Sequence, residues 1–198
     1  SAETLSVGNA LQWPEGDWQR LELHWNSEMP GPWTIDRDYV SSLHQRDQGF
    51  DYIMVAPRFM VEKEAILAQR RMAEGFKVLL VDVQDIYDEF NYGYPDSHAI
   101  RNFFRYAQSE WTGLSPEFIL LIGDCTWDHR DRLKTGAVDL LPTYAPVEDP
   151  MADASDEWYV YLWGGGDDYF SDAIVGRISV QTVDELGRYL AKVDTYEK

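Results

Sequence analysis

One cysteine, few basic residues and no long apolar run set the first limits on this chain of 198 residues. A single thiol, Cys125, excludes an internal disulfide and a zinc site built from several cysteines. Lysine and arginine number 17 against 35 aspartates and glutamates, for a formal net charge of -18. So negative a surface repels a phosphate backbone, and no basic cluster relieves it, which makes nucleic acid and anionic membranes poor partners. Divalent cations suit it better, although the acid excess serves equally as a solubility device in a secreted protein. No stretch approaches the roughly 18 apolar residues that a membrane helix needs. The opening Ser1-Ala2-Glu3-Thr4 has neither a basic segment nor an apolar run, so no secretion signal is visible, and a mature chain would have lost one. His24, His44, His98 and His129 show no paired ligand spacing for zinc. Gly164-Gly165-Gly166 leads into aspartates and no lysine, which argues against a nucleotide loop.

What is present is an alternation of buried strands and amphipathic helices. Phe118-Ile119-Leu120-Leu121-Ile122 is continuously apolar, as a strand covered on both faces must be, and stops at Gly123-Asp124. Phe50 to Ala56 and Phe76 to Asp82 follow the same grammar. Between them a helix is predicted from Pro57 to about Glu74, with Val61, Ala65, Ala68 and Met72 on its inner face and Gly75 closing it. Gln84 to Phe90 reads as a short helix. Asp96 caps a longer one carrying Ile100, Phe103, Phe104, Ala107 and Trp111 at helical spacing. Further strands are predicted at Leu140 to Tyr144, Glu157 to Leu162 and Ala173 to Ile178, and Thr182 with Glu185 makes a capping box for a last helix. The fold class is α/β: a mostly parallel sheet flanked by helices, Rossmann-like and three-layered. Residues 1–48 differ in style, with four tryptophans among prolines and glycines and a strand-like Leu21 to Trp25, and are read as a small N-terminal β appendage to the α/β unit of 49–198.

Two groups of residues invite chemistry. Cys125 and His129 have the makings of a nucleophile and its base, but Asp124 beside the thiol disfavours a thiolate and no oxyanion-hole glycines surround the pair. The alternative is a small residue filling space after a strand. Asp156, Asp167, Asp168 and Asp172 gather around a glycine turn, and Asp124 arrives at the same sheet edge, so a structural Ca²⁺ held by these oxygens is one reading. Turn aspartates capping their own backbone are the other, and the simpler.

The order and spacing of several segments, with no single diagnostic motif, resemble the N-terminal part of gingipain-type cysteine peptidases. These segments are Phe50 to Val55, Ile86 to Asp96, Ala99 to Ala107, Ile119 to Asp124, Leu141 to Tyr144, Ala154 to Tyr159 and Ala173 to Ile178. The resemblance covers roughly residues 50 to 198 and implies a caspase-like catalytic unit of two α/β subdomains, of which this chain matches the first. It implies that the catalytic histidine and cysteine belong to the second, so Cys125 aligns with no nucleophile and this chain carries no catalytic residue. It implies further a C-terminal catalytic subdomain as partner, protein or peptide as substrate, and an extracellular or cell-surface location. Some relatives bind structural calcium, whereas here three glycines replace part of an aspartate-rich loop. A binding or structural module of a surface or secretion assembly, which kept the layer and lost peptidase function, is the alternative.

Overall fold

The computed structural model describes residues 40–128, 132–145, 154–163 and 170–197. The chain divides between Ser41 and Ser42, and every element below belongs to the second unit. The strand expected at Leu21 to Trp25 lies outside the described residues.

Four parallel strands form the sheet: β1 (Tyr52–Ala56), β2 (Val78–Asp82), β3 (Phe118–Ile122) and β4 (Ile174–Ile178), in the order β2-β1-β3-β4. The period-2 alternation of side chains then sorts the core into two layers. Ile53 and Val55 of β1 and Ile119 and Leu121 of β3 pack with α2 (Val83–Asn91) and α3 (Ser97–Glu110). Met54, Ala56 and Ile122 pack on the other face with α1 (Val61–Ala73) and α4 (Val183–Tyr196). Both faces of the two central strands are thus covered, which is why their sequence is continuously apolar.

The helix ends follow the chemistry of the residues that flank them. Gly75, at φ 106°, closes α1 with paired bonds: Gly75 N–H donates to Met72 O and Phe76 N–H to Arg71 O, both at 3.1 Å. Asp82, the last residue of β2, caps α2 by accepting from Gln84 N–H at 3.1 Å. Asp96 caps α3 through His98 N–H at 2.8 Å, and the Thr182–Glu185 box opens α4 as expected. The apolar stripe of α3 is buried as its spacing predicts, and the Trp111 indole donates to Leu43 O at 3.1 Å. Residues 42–48 are stitched to this layer: the N–H groups of Leu43 and His44 donate to the Glu89 carboxylate at 2.7 and 2.9 Å.

Three expectations are corrected. Glu157 to Leu162 is no strand but a 3₁₀ turn over Glu157–Val160, and the strand beside β3 is β4, in register from Phe118↔Ile174 to Ile122↔Ile178. The turn's apolar residues Tyr159 and Val160 bury against the α2–α3 layer instead. Leu140 to Tyr144 makes one antiparallel bridge, Tyr144 with Ser155, because the backbone groups a strand would offer a neighbour are taken: Leu140 and Leu141 N–H donate to Asp124 O. In α1 a 3₁₀ turn, Arg58–Met60, precedes the helix, and the buried face runs through Met60, Glu64, Leu67 and Ala68, leaving Met72 exposed. A periodicity count that keeps carboxylates outside cannot find that face.

Two glycines give opposite expectations. A Cβ on Gly49 would lie 2.2 Å from the Leu114 backbone nitrogen and 2.6 Å from Gly113 Cα, so Gly49→Ala forces two backbones apart and should cost about 2 kcal/mol or more. Gly176 in β4 has nothing within 4 Å of that position, and Gly176→Ala should stay within roughly 0.5 kcal/mol of the parent. Urea unfolding of the two variants checks both, and equal midpoints would contradict the packing described.

Candidate functional site at the carboxyl edge of the sheet

Parallel pairing brings all four strand ends to one edge, the edge at which open α/β sheets bind ligands. Gly123 leaves β3 at φ 143°, a conformation open to glycine, where a Cβ would press on Leu140 and Leu141 at 3.3 Å. Gly123 and Asp124 N–H donate to Ile178 O and Val180 O at 3.0 and 2.9 Å, so the chain past β3 stays fastened to the chain past β4.

On the β4 side of the edge is Arg177, beside Leu121 of β3. Its side chain is 8% exposed, and all five of its N–H donors are used. Nε and Nη2 clamp Asp156 with two bonds of 2.7 Å, Nη1 donates to Gly123 O and Leu141 O at 2.8 and 2.7 Å, and Nη2 reaches Pro142 O at 3.2 Å. Burial disfavours the guanidinium charge, but the hydrogen bonds and charge of Asp156 outweigh it and hold its pKa above the ordinary value. Tyr159 adds a bond from its hydroxyl to Pro142 O at 2.5 Å, and burial raises its pKa and that of Tyr87. Beside this knot Trp158 stacks on Tyr144 with ring centroids 3.8 Å apart, while the Arg101 guanidinium covers Trp158 at 4.4 Å.

The aspartates considered as Ca²⁺ ligands go to separate tasks. Asp156 gives both oxygens to Arg177. Asp172 Oδ2 accepts from Leu162 and Trp163 N–H at 2.7 and 3.0 Å, which is turn capping. Asp124 does reach the carboxyl edge, where its carboxylate accepts from Gln181 Nε2 at 3.2 Å. Asp167 and Asp168 lie outside the described residues. Among the described residues no three His, Cys, Asp or Glu side chains are grouped to hold a metal.

Cys125 is partly buried just after Asp124, and its thiol pKa is raised by burial first and then by Asp156, Asp124 and Asp139, with Arg177 opposing. Those surroundings keep it a thiol near neutral pH. His129 lies outside the described residues. His44 and His98 each meet a carboxylate of their own, Glu89 at 2.7 Å and Asp96 at 3.0 Å. The edge is therefore built to hold loops in place, and the described residues assemble no acid–base pair around Cys125. Sequence reasoning passed over Arg177 as a site residue. The available signal was a lone arginine in Ile174-Val175-Gly176-Arg177-Ile178, since a guanidinium in a packed strand must find acceptors for its donors.

A family model described as peptidase family C25 matches residues 45–198. No curated protein matches the chain. Among solved structures, dimeric latent PorU from Porphyromonas gingivalis is similar, with a TM-score of 0.63 at 24% identity over 76% of this chain and 16% of that one. A structure described only as a protease gives a TM-score of 0.52 at 21% identity, over 74% of this chain and 28% of that chain. At these identities the structural likeness speaks for the fold, and the chain spans about a sixth of PorU.

The Arg177 knot has a measurable consequence. Arg177→Met removes the guanidinium from Asp156 and from the carbonyls of Gly123 and Leu141 and should destabilise by about 3–5 kcal/mol, the scale of a broken buried pair. Arg177→Lys keeps the charge, loses the fork, and should still cost about 2 kcal/mol or more. Urea unfolding at pH 7 measures both, and an Arg177→Lys variant as stable as the parent would show that the fork geometry is immaterial.

Proposed function

Because the chain belongs to peptidase family C25, we propose that it is the N-terminal, non-catalytic subdomain of a secreted gingipain-like cysteine endopeptidase. The observation that carries this reading is the combination of a family match across the whole α/β layer with a Cys125 held as a thiol by burial and three carboxylates. On this reading a second, C-terminal subdomain supplies the histidine and the cysteine. There a thiolate attacks the carbonyl carbon of a peptide, and the histidine hands its proton to the leaving amine. The present chain contributes rigidity: the edge pinned by Arg177 buttresses the second subdomain and forms one wall of the cleft for a protein or peptide substrate. Its location is extracellular or at the cell surface. The acid excess accords with that, and no helix among the described residues is long and apolar enough to cross a membrane.

The test is to assay residues 1–198 alone and joined to the polypeptide that its gene encodes next. The chain alone should cleave no peptide in a thiol-dependent way. The longer protein should do so, with the activity lost on substitution of a cysteine in the added segment and kept in Cys125→Ala. Cleavage by the short chain that disappears in Cys125→Ala would overturn the proposal. A longer protein that is inert would favour the reading as a binding or structural module.

A further inference from the structure

On the face of the sheet opposite α2 and α3 lies an ionisable group that the proposed function does not use. Glu64, in the first turn of α1, has 0% exposure, and neither of its carboxylate oxygens has a hydrogen-bond partner. Its position between Met60 and Leu67 on the inner face of the helix aims it into the core beneath the sheet. From β1 that core presents Met54 and Ala56, and from α4 Leu186 and Leu190, all apolar. The charge that bears on Glu64 from β2 is Asp82, which raises its pKa further, after burial. Asp82 is itself engaged: it caps α2, and Arg58 Nε of the 3₁₀ turn lies 3.5 Å from its Oδ2. Lys63, the neighbour on α1, lays its side chain along Gly187 of α4.

A carboxylate without partners in such a place is far costlier than a carboxylic acid, and a neighbouring aspartate adds like-charge repulsion. We propose that Glu64 is a pH-sensitive latch between α1 and the sheet: as the neutral acid it lets the first turns of α1 seat against β1 and β2, and its ionisation favours their release. The moving part is well placed to matter. The Arg58–Met60 turn and the start of α1 follow directly from the carboxyl end of β1, while Asp82 starts α2 at the carboxyl end of β2. Release would therefore loosen the carboxyl edge on the side away from Arg177.

The sign follows from linkage. With α1 seated, burial and Asp82 push the Glu64 pKa up to about 8. With α1 released, the carboxyl returns to its ordinary, much lower value. Seating is then strongest in acid, weakens steadily as pH rises between the two values, and levels off above about 8. Within that window the opening equilibrium grows about tenfold per pH unit.

The experiment is amide hydrogen exchange from pH 5 to 9 on the full chain, corrected for intrinsic exchange, with residues 61–68 compared with β3. In the parent, exchange in 61–68 should climb by about tenfold per pH unit, ahead of β3, and flatten near pH 8. In Glu64→Gln the climb should vanish, and a climb that persists there overturns the latch. Should Glu64→Gln fail to fold, Asp82→Asn carries the test, since Asn can still cap α2. Removing that charge should bring the plateau to a lower pH, and an unmoved plateau overturns the proposal.

Discussion

A guanidinium taken out of water must satisfy five donors at once, and the carboxyl edge of this sheet is arranged to do that for Arg177. Asp156 neutralises the charge, and the carbonyls of Gly123, Leu141 and Pro142 take the remaining donors. Those acceptors come from segments far apart in sequence: the exit of β3, the stretch after it, and the 3₁₀ turn that begins at Asp156. Three segments with little regular structure thereby acquire one geometry. A surface ion pair could not do this, since the charges would be worth too little and the side chains too free. Here burial makes the same contacts stringent, because any acceptor left out strands a donor without water.

The rest of the fold supplies the frame on which that knot is tied. Two central strands buried on both faces hold β3 and β4 parallel, and the parallel register sets Arg177 beside the exit of β3. Helices close each face, and one of them takes its cap from a strand end, where Asp82 finishes β2 and starts α2 in one residue. At the opposite end, Arg70 and Arg71 of α1 meet Asp194 of α4 and Glu197 at its C-cap in a partly exposed network. These pairs contribute little each beside the core they flank. The layer is held firmly where strands and caps agree, while Glu64, on the opposite face, is buried with no hydrogen-bond partner.

Elements whose residues obey one rule locally were legible in the sequence. The run Phe118 to Ile122, the stripe from Ile100 to Trp111 and the Thr182–Glu185 box each appear where their pattern places them. Patterns fail where a tertiary contact consumes what a local rule assigns elsewhere. Glu157 to Leu162 looks like a strand because its residues suit one, yet Tyr159 and Val160 bury against the α2–α3 layer. The partners of Asp156 and Asp172, a guanidinium from β4 and two backbone amides, lie 21 and 10 or fewer residues away, and the residues around the glycine turn do not announce them. Glu64 escaped notice for a different reason: hydropathy reading assumes that carboxylates face water, and this one does not.

Arg177 and Asp156 act on each other directly in a desolvated setting. A double-mutant cycle built from Arg177→Met, Asp156→Leu and the double variant, followed by urea unfolding at pH 7, measures that coupling. The structure predicts a coupling of about 2 kcal/mol or more, with the double variant less damaged than the two single losses added together. Strict additivity, within roughly 0.5 kcal/mol, would mean that the two residues contribute independently and that the edge is held by something else.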